Sequence, residues 1–401
     1  VVRHPATVAV AFGIAHVWLA WLSFAAPNQP LGDVTLVYRF WVGEGLTNGG
    51  WVGIDQPGVY PVLALVPMLA AWAFGPDAYP YTWLAIVTVL DAAALAVVLA
   101  LGRARGVVAG WWWTVFLVAL GPIALGRIDT VTVPFALVGL VLLARRPAVA
   151  AVLLTVAAWI KVWPAALVAA AVVVSRSRLV VAVAALATTA VVVVGGLLLG
   201  ADRNLVSFLG QQAERGLQIE SVLATPWMWH AVAGGTTISY DVPILTFQVH
   251  GPGVDVAASL ATGLVAVAAL AILALGIVAV RRGRGAARVL PPLALALTVA
   301  LILFNKVGSP QFVTWLAVPL VVGLLGVATD RAFRAPALLT LVLAALTQAV
   351  YPFLYAELTR ADPGVVALLT ARNLLYVALF AWSVAALIRI VRQPADSEEK
   401  R

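Results

Sequence analysis

The sequence predicts an all-α integral membrane protein: a bundle of about twelve transmembrane helices, with short re-entrant or interfacial helices and loops on the outer face. Three observations lead there. Hydrophobic residues make up 63% of the chain and charged residues only 10%, and a mean hydropathy of +1.03 is more apolar surface than a water-soluble core could hide. Alternating polar and apolar runs are missing, which disfavours a barrel and leaves helices that satisfy their own backbone. Basic clusters also recur at the spacing expected of cytoplasmic loops.

Taken in order, the apolar segments fall at residues 6–26, 81–102, 107–122, 130–144, 147–160, 163–175, 179–200, 254–280, 289–304, 312–328, 336–352 and 366–391. The first lacks a small-residue cleavage site and reads as a retained span. Between the segments lie Arg103 and Arg105, Arg145 and Arg146, Arg176 and Arg178, the run 281–288, Arg331 and Arg334, and Arg389 and Arg392. Placing these clusters in the cytoplasm puts 17 of the 25 Lys and Arg inside, with both termini, and eight outside, as the positive-inside rule requires. The net charge of +8 then reports topology and contact with anionic membrane lipids, so no nucleic acid is expected as a partner. Residues 1–392 read as one polytopic domain of a plasma-membrane protein, expected to be a monomer, and 393–401 as a disordered cytoplasmic tail.

The alternation holds only if the apolar stretch 60–75 does not cross, so it is assigned as re-entrant or interfacial. Segments 147–160 and 163–175 reach about 20 Å, short of a hydrocarbon core of about 30 Å. Their junction, Lys161-Val162-Trp163-Pro164, is therefore expected within the membrane thickness, lining a cavity. Trp111-Trp112-Trp113 reads as an interfacial aromatic anchor.

Charge near membrane depth is expensive and faces a cavity or a partner. The outer set comprises Asp33 and Arg39, Arg127 and Asp129, Lys161, Arg215 and Glu220, Lys306 and Arg372, which predicts one polar pocket. Asp33 precedes Val37, Arg39 and Phe40 at helical spacing, and is either a general base or the cap of a short interfacial helix. Lys306 lies in a break made by Gly308 and Pro310, either meeting a ligand or a buried carboxylate, or snorkelling to headgroups. Arg215 either meets a phosphate or pairs with Glu214 or Glu220. Arg372 lies about six residues inside the last span. Asp91, mid-span, is a hydrogen-bonding or neutral acid as readily as a functional one. His4, His16, His230 and His250 lack ligand spacing and cysteine is absent, so no metal or cofactor is expected.

Such a face suits an enzyme handling a lipid-linked sugar. The anionic phosphate needs Arg or Lys, with Lys161, Arg215, Lys306 and Arg372 as candidates, and a carboxylate must take the proton of the acceptor hydroxyl, with Asp33 as candidate. A transporter or flippase for a lipid intermediate is the alternative of another class.

The pattern resembles the actinobacterial membrane glycosyltransferases of the GT-C superfamily, in particular family 87, the polyprenol-phosphate-mannose-dependent mannosyltransferases. The fragments that carry the resemblance are Asp33 with Tyr38-Arg39, Tyr60-Pro61, Gly126-Arg127-Ile128-Asp129, and Ala158-Trp159-Ile160-Lys161-Val162-Trp163-Pro164. They continue with Arg215-Gly216-Leu217-Gln218-Ile219-Glu220-Ser221 and Asn305-Lys306-Val307-Gly308-Ser309-Pro310-Gln311. The last is also similar to the first mannosyltransferase of GPI-anchor synthesis. The chain departs from the family at Tyr60-Pro61, where a double proline is common, and at residues 126–129, where Gly-Gln-Xaa-Asn is common. The resemblance implies an outer-face site, a lipid-linked donor, and Asp33 as the base of an inverting transfer to a glycolipid or glycan acceptor. Lys306, Arg215, Arg372 and Lys161 would then hold the donor phosphate. Arg39, Tyr60, Arg127, Asp129, Trp163, Glu220, Ser221, Asn305 and Gln311 would bind sugar or acceptor. An arabinofuranosyltransferase of the same superfamily would differ only in its donor.

Overall fold

The computed structural model describes residues 4–213, 215–242, 245–326 and 329–393; apart from Gln393, the tail expected to be disordered lies outside the described residues. Seven helices are long and apolar enough to cross a bilayer: Pro5–Ala25, Tyr79–Ala124, Arg178–Leu198, Val254–Arg281, Ala286–Leu303, Arg331–Phe353 and Pro363–Arg392. Four shorter apolar helices accompany them, Ile128–Leu142, Pro147–Ile160, Ala165–Val174 and Pro310–Leu325.

Helix α1 (Pro5–Ala25) starts where the His4 side chain accepts from Ala6 N and a proline occupies the first turn, so orphan donors are met or removed. Its 21 residues rise about 31 Å. A π-helical turn, Asp33–Tyr38, leads into α2 (Arg39–Asn48). The apolar stretch 60–75 then forms a 3₁₀ turn, Val62–Ala64, and the six-residue α3 (Leu65–Ala70), too short to reach across.

Helix α4 (Tyr79–Leu120) folds back on itself at Arg103, where φ is 52° and ψ is −130°. The two arms approach so closely that a Cβ on Gly106 would stand 2.5 Å from the Val98 carbonyl oxygen, so only glycine fits. The reversal falls on the basic pair that hydropathy places between two spans. Trp111-Trp112-Trp113 is not the anchor expected. Trp113 is fully buried against Phe12, 5.1 Å between centroids, and Trp112 Nε1 donates to Ala337 O at 3.0 Å. Three consecutive side chains fan over most of a helix circumference, so part of the run must face the bundle. Asp91 meets His16 Nε2 at 3.2 Å and ties α4 to α1.

Helices α5 (Ile128–Leu142), α6 (Pro147–Ile160), α7 (Ala165–Val174) and α8 (Arg178–Leu198) pack as neighbours. The long connection that follows holds α9 (Ser207–Ala213), α10 (Thr225–Val232) and an antiparallel hairpin of β1 (Thr237–Asp241) and β2 (Thr246–His250). Hydropathy reads only a loop there, because five-residue strands of β-branched and aromatic residues vanish in a span-length average. Helices α11 (Val254–Arg281), α12 (Ala286–Leu303), α13 (Ala317–Leu325), α14 (Asp330–Gln348), α15 (Tyr355–Thr359) and α16 (Pro363–Arg392) complete the bundle. Helix α12 is its axis, 78% buried and packed by α7, α11, α13 and α16, whereas α8 and α11, each 17% buried, form the flank.

Candidate functional site

One cavity of about 1050 Å³ lies among the connections 26–78, 121–127, 161–164, 199–253, 304–316 and 349–362 and the helix segments beside them, including Thr262 and Val265 of α11. Among the described residues, none of the arginine-rich connections at 103–105, 145–146, 176–178, 281–288 and 331–334 reaches it. The size is at the upper end of small-molecule sites.

On one wall Asp33 stands in the first turn of the π-helical segment with its side chain one third exposed, at 33%. Its Oδ2 meets Arg127 Nε at 3.3 Å and accepts from the Tyr38 hydroxyl at 3.4 Å. Among the described residues these contacts engage only Oδ2 of the carboxylate. Asp33 does not cap the helix; its contacts are to Arg127 and Tyr38. Arg127 is pinned by the carbonyls of Pro30 and Gly126 and by the Tyr351 hydroxyl at 3.1 Å. Burial opposes its charge, but Asp33 and Tyr351 outweigh burial and raise its pKa above the ordinary arginine value. An arginine locked in this way orients Asp33 and keeps its charge.

The next wall comes from the α6–α7 junction. Lys161 Nζ meets Asp129 Oδ2 at 3.2 Å, and Trp315 Nε1 donates to Asp129 Oδ1 at 2.8 Å. Asp129 lies in the first turn of α5, where the helix dipole favours a carboxylate. Lys161 lies 4.6 Å from the Tyr60 ring centroid, a cation–π contact. Trp163 stacks on Trp315 with 5.3 Å between centroids and 7° between planes, and donates to Thr132 at 2.9 Å.

A third wall is a closed ion pair. Arg372 Nη1 meets Glu220 Oε2 at 2.7 Å, both side chains 3% exposed, and Arg372 Nε and Nη2 donate to Asn373 Oδ1. Burial raises the Glu220 carboxyl above its ordinary value, with Arg372 opposing.

The fourth wall joins two loops. Gln218 N donates to Lys306 O at 3.0 Å and Ser221 Oγ to Asn305 O at 2.8 Å. Gly308 is pressed so near this strand of chain that a Cβ would stand 2.0 Å from Ser221 N. The pressed contact presents Arg215, Gln218, Lys306, Asn305 and Gln311 to the cavity. Burial lowers the Lys306 ammonium below the ordinary lysine value and also lowers Arg215, with Tyr60, Asp33 and Asp241 opposing at Arg215. Arg215 Nε has no partner among the described residues. Among the described residues, five cations stand in and directly behind the walls, Arg127, Lys161, Arg215, Lys306 and Arg372, against four carboxylates, Asp33, Asp129, Glu220 and Asp241. That leaves an excess of one positive charge among them, which suits an anionic head.

Of the residues expected at the site, Asp33, Tyr60, Arg127, Lys161, Trp163, Arg215, Glu220, Asn305, Lys306 and Gln311 line the cavity. Asp129, Ser221 and Arg372 stand behind the wall, where each holds a lining residue or loop in place, and Arg39, at the start of α2, is not part of the lining. Glu214, a possible partner of Arg215, lies outside the described residues. Sequence reasoning missed Gln218, Tyr351 and the hairpin residues Tyr240 and Phe247. Only Gln218 carried a signal, its position between Arg215 and Glu220. No protein-family model, curated protein or solved structure matches this chain.

Proposed function

We propose that the protein is a plasma-membrane glycosyltransferase that moves a sugar, mannose in this reading, from polyprenyl phosphate to a lipid-linked or cell-wall glycan with inversion. The observation that carries the reading is the joining, in one cavity, of a partly exposed carboxylate, Asp33, with two cations from separate loops, Arg215 and Lys306. The sequence fragments shared with family 87 support it and suggest the donor class. In this topology the two arms of α4 and the four short apolar helices complete twelve crossings, both termini are cytoplasmic, and the cavity opens outward. Among the described residues no arginine-rich connection lines the cavity, which supports that orientation.

In the proposed step the acceptor hydroxyl oxygen attacks the anomeric carbon from the face opposite the phosphate. Its proton passes to Asp33 Oδ1, the new C–O bond forms, and the bond to the phosphate oxygen breaks with its electron pair staying on phosphate. Arg215 and Lys306 neutralise the charge that grows there. Arg127 fixes Asp33. Arg372 and Lys161, expected beside the phosphate, are assigned here to holding the wall, because each already meets a carboxylate. Apolar Ala166, Val265 and Leu301 line another part of the cavity and are assigned to the isoprenoid chain.

The test is Asp33→Asn in purified protein given polyprenyl-phosphate mannose and a glycolipid acceptor. Turnover is expected to fall by about 10²- to 10⁴-fold while donor affinity is kept. Unchanged glycan synthesis would remove Asp33 as the base, and donor binding without turnover in the unaltered protein would favour a carrier.

A further inference from the structure

Gln218 belongs to the cavity wall and is 1% exposed. Neither Oε1 nor Nε2 of its carboxamide has a hydrogen-bond partner among the described residues. Its backbone is fixed by Gln218 N donating to Lys306 O and by Gln218 O accepting from Ser221 N, each at 3.0 Å. Nε2 of Gln248, a residue bridged to it through the backbone, donates to Asp241 Oδ2 at 2.7 Å. A buried amide that meets neither its donor nor its acceptor needs is costly to a fold. A site that binds a polar ligand explains why it is kept there.

The chemistry of the missing partner follows from what is unmet. The phosphodiester that links a lipid to a sugar carries no proton and only accepts, so it would satisfy Nε2 and leave Oε1 bare. A sugar hydroxyl, or a neighbouring pair of them, both donates and accepts. Arg215 lies three residues before Gln218, and the Lys306 carbonyl holds the Gln218 backbone, so the amide lies beside the cations assigned to phosphate. We infer that Gln218 is a specificity-determining residue: its carboxamide, turned into the cavity about its own side-chain torsions, engages a hydroxyl of the sugar attached to that phosphate. This rests on the glycosyltransferase reading above.

The full-length protein is tested as Gln218→Leu and Gln218→Glu. Two soluble probes, mannose 1-phosphate and inorganic phosphate, report binding without turnover. The unaltered protein is expected to bind the sugar phosphate more tightly than phosphate. Q218L should erase tenfold or more of that advantage while phosphate affinity stays within about twofold. Without ligand, Q218L should unfold at the same or a higher temperature, because a like-sized apolar side chain removes two unmet polar atoms. Q218E adds a charge that weakens both phosphate-bearing probes, but it keeps an acceptor for a hydroxyl and should retain more of the sugar-phosphate-over-phosphate advantage than Q218L. In Q218L, loss of both probes together, loss of neither, or a lowered unfolding temperature overturns the assignment. Since none of these readouts needs catalysis, their failure is distinct from failure of the transferase reading, which the Asp33 experiment judges.

Discussion

Arg372 and Arg215 are the same side chain, and hydropathy gives both the same task, but the fold treats them in opposite ways. Arg372 is 2% exposed, its guanidinium taken up by Glu220 and Asn373. Arg215 reaches the cavity, and its Nε has no partner among the described residues. A buried arginine closed by a carboxylate has little left to offer a phosphate, while an open one still has its donors. Lys161 follows Arg372, because Asp129 lies behind it. What separates Arg372 and Lys161 from Arg215 is the carboxylate that folding sets against each of the first two.

The contrast can be broken most forcefully at the ion pair. Arg372→Ala strands Glu220 in a buried site and is expected to cost about 3–5 kcal/mol of stability, seen as a large drop in the thermal unfolding midpoint. Arg215→Ala should barely move that midpoint, and equal losses would erase the distinction. Gly308→Ala comes next: its Cβ would collide with Ser221 N, an overpacking worth about 1–3 kcal/mol. The same change should weaken donor binding, because the 305–311 loop is pushed from the Gln218 strand.

Smaller effects sharpen the binding side. Arg215→Ala and Lys306→Ala should each weaken binding of a lipid phosphate by about 10- to 100-fold, the scale of a charged hydrogen bond, in a titration at constant salt. The smallest effect is in pH. Burial lowers the Lys306 ammonium, and phosphate selects the protonated form, so donor affinity should fall as pH rises through the lowered value, while the unfolded chain would still hold its proton up to the ordinary lysine range. Lys306→Arg should flatten that fall, since arginine keeps its charge. An affinity that rises with pH would contradict the role given to Lys306.

Much of this was legible in the sequence, for physical reasons. Arg103 and Arg105 announced the reversal of α4, and the short segments around Lys161-Val162-Trp163-Pro164 announced a junction beside a cavity, because length and charge are local properties. The pairing of Arg372 with Glu220 was not legible. The two lie 152 residues apart, and only folding brings them together. Asp129 shows the same limit, since its partners Lys161 and Trp315 come from different helix connections. The hairpin at Tyr240 and Phe247 escaped because its strands are shorter than any span-sized window.

The most direct measurement is mass spectrometry of lipid that co-purifies with the full-length protein, its Asp33→Asn variant and an Arg215→Ala/Lys306→Ala double variant. The account predicts a polyprenyl-phosphate sugar on the first two, enriched on Asp33→Asn because transfer is blocked, and its loss from the double variant. A phosphate lipid held equally by all three, or none on any, would contradict it.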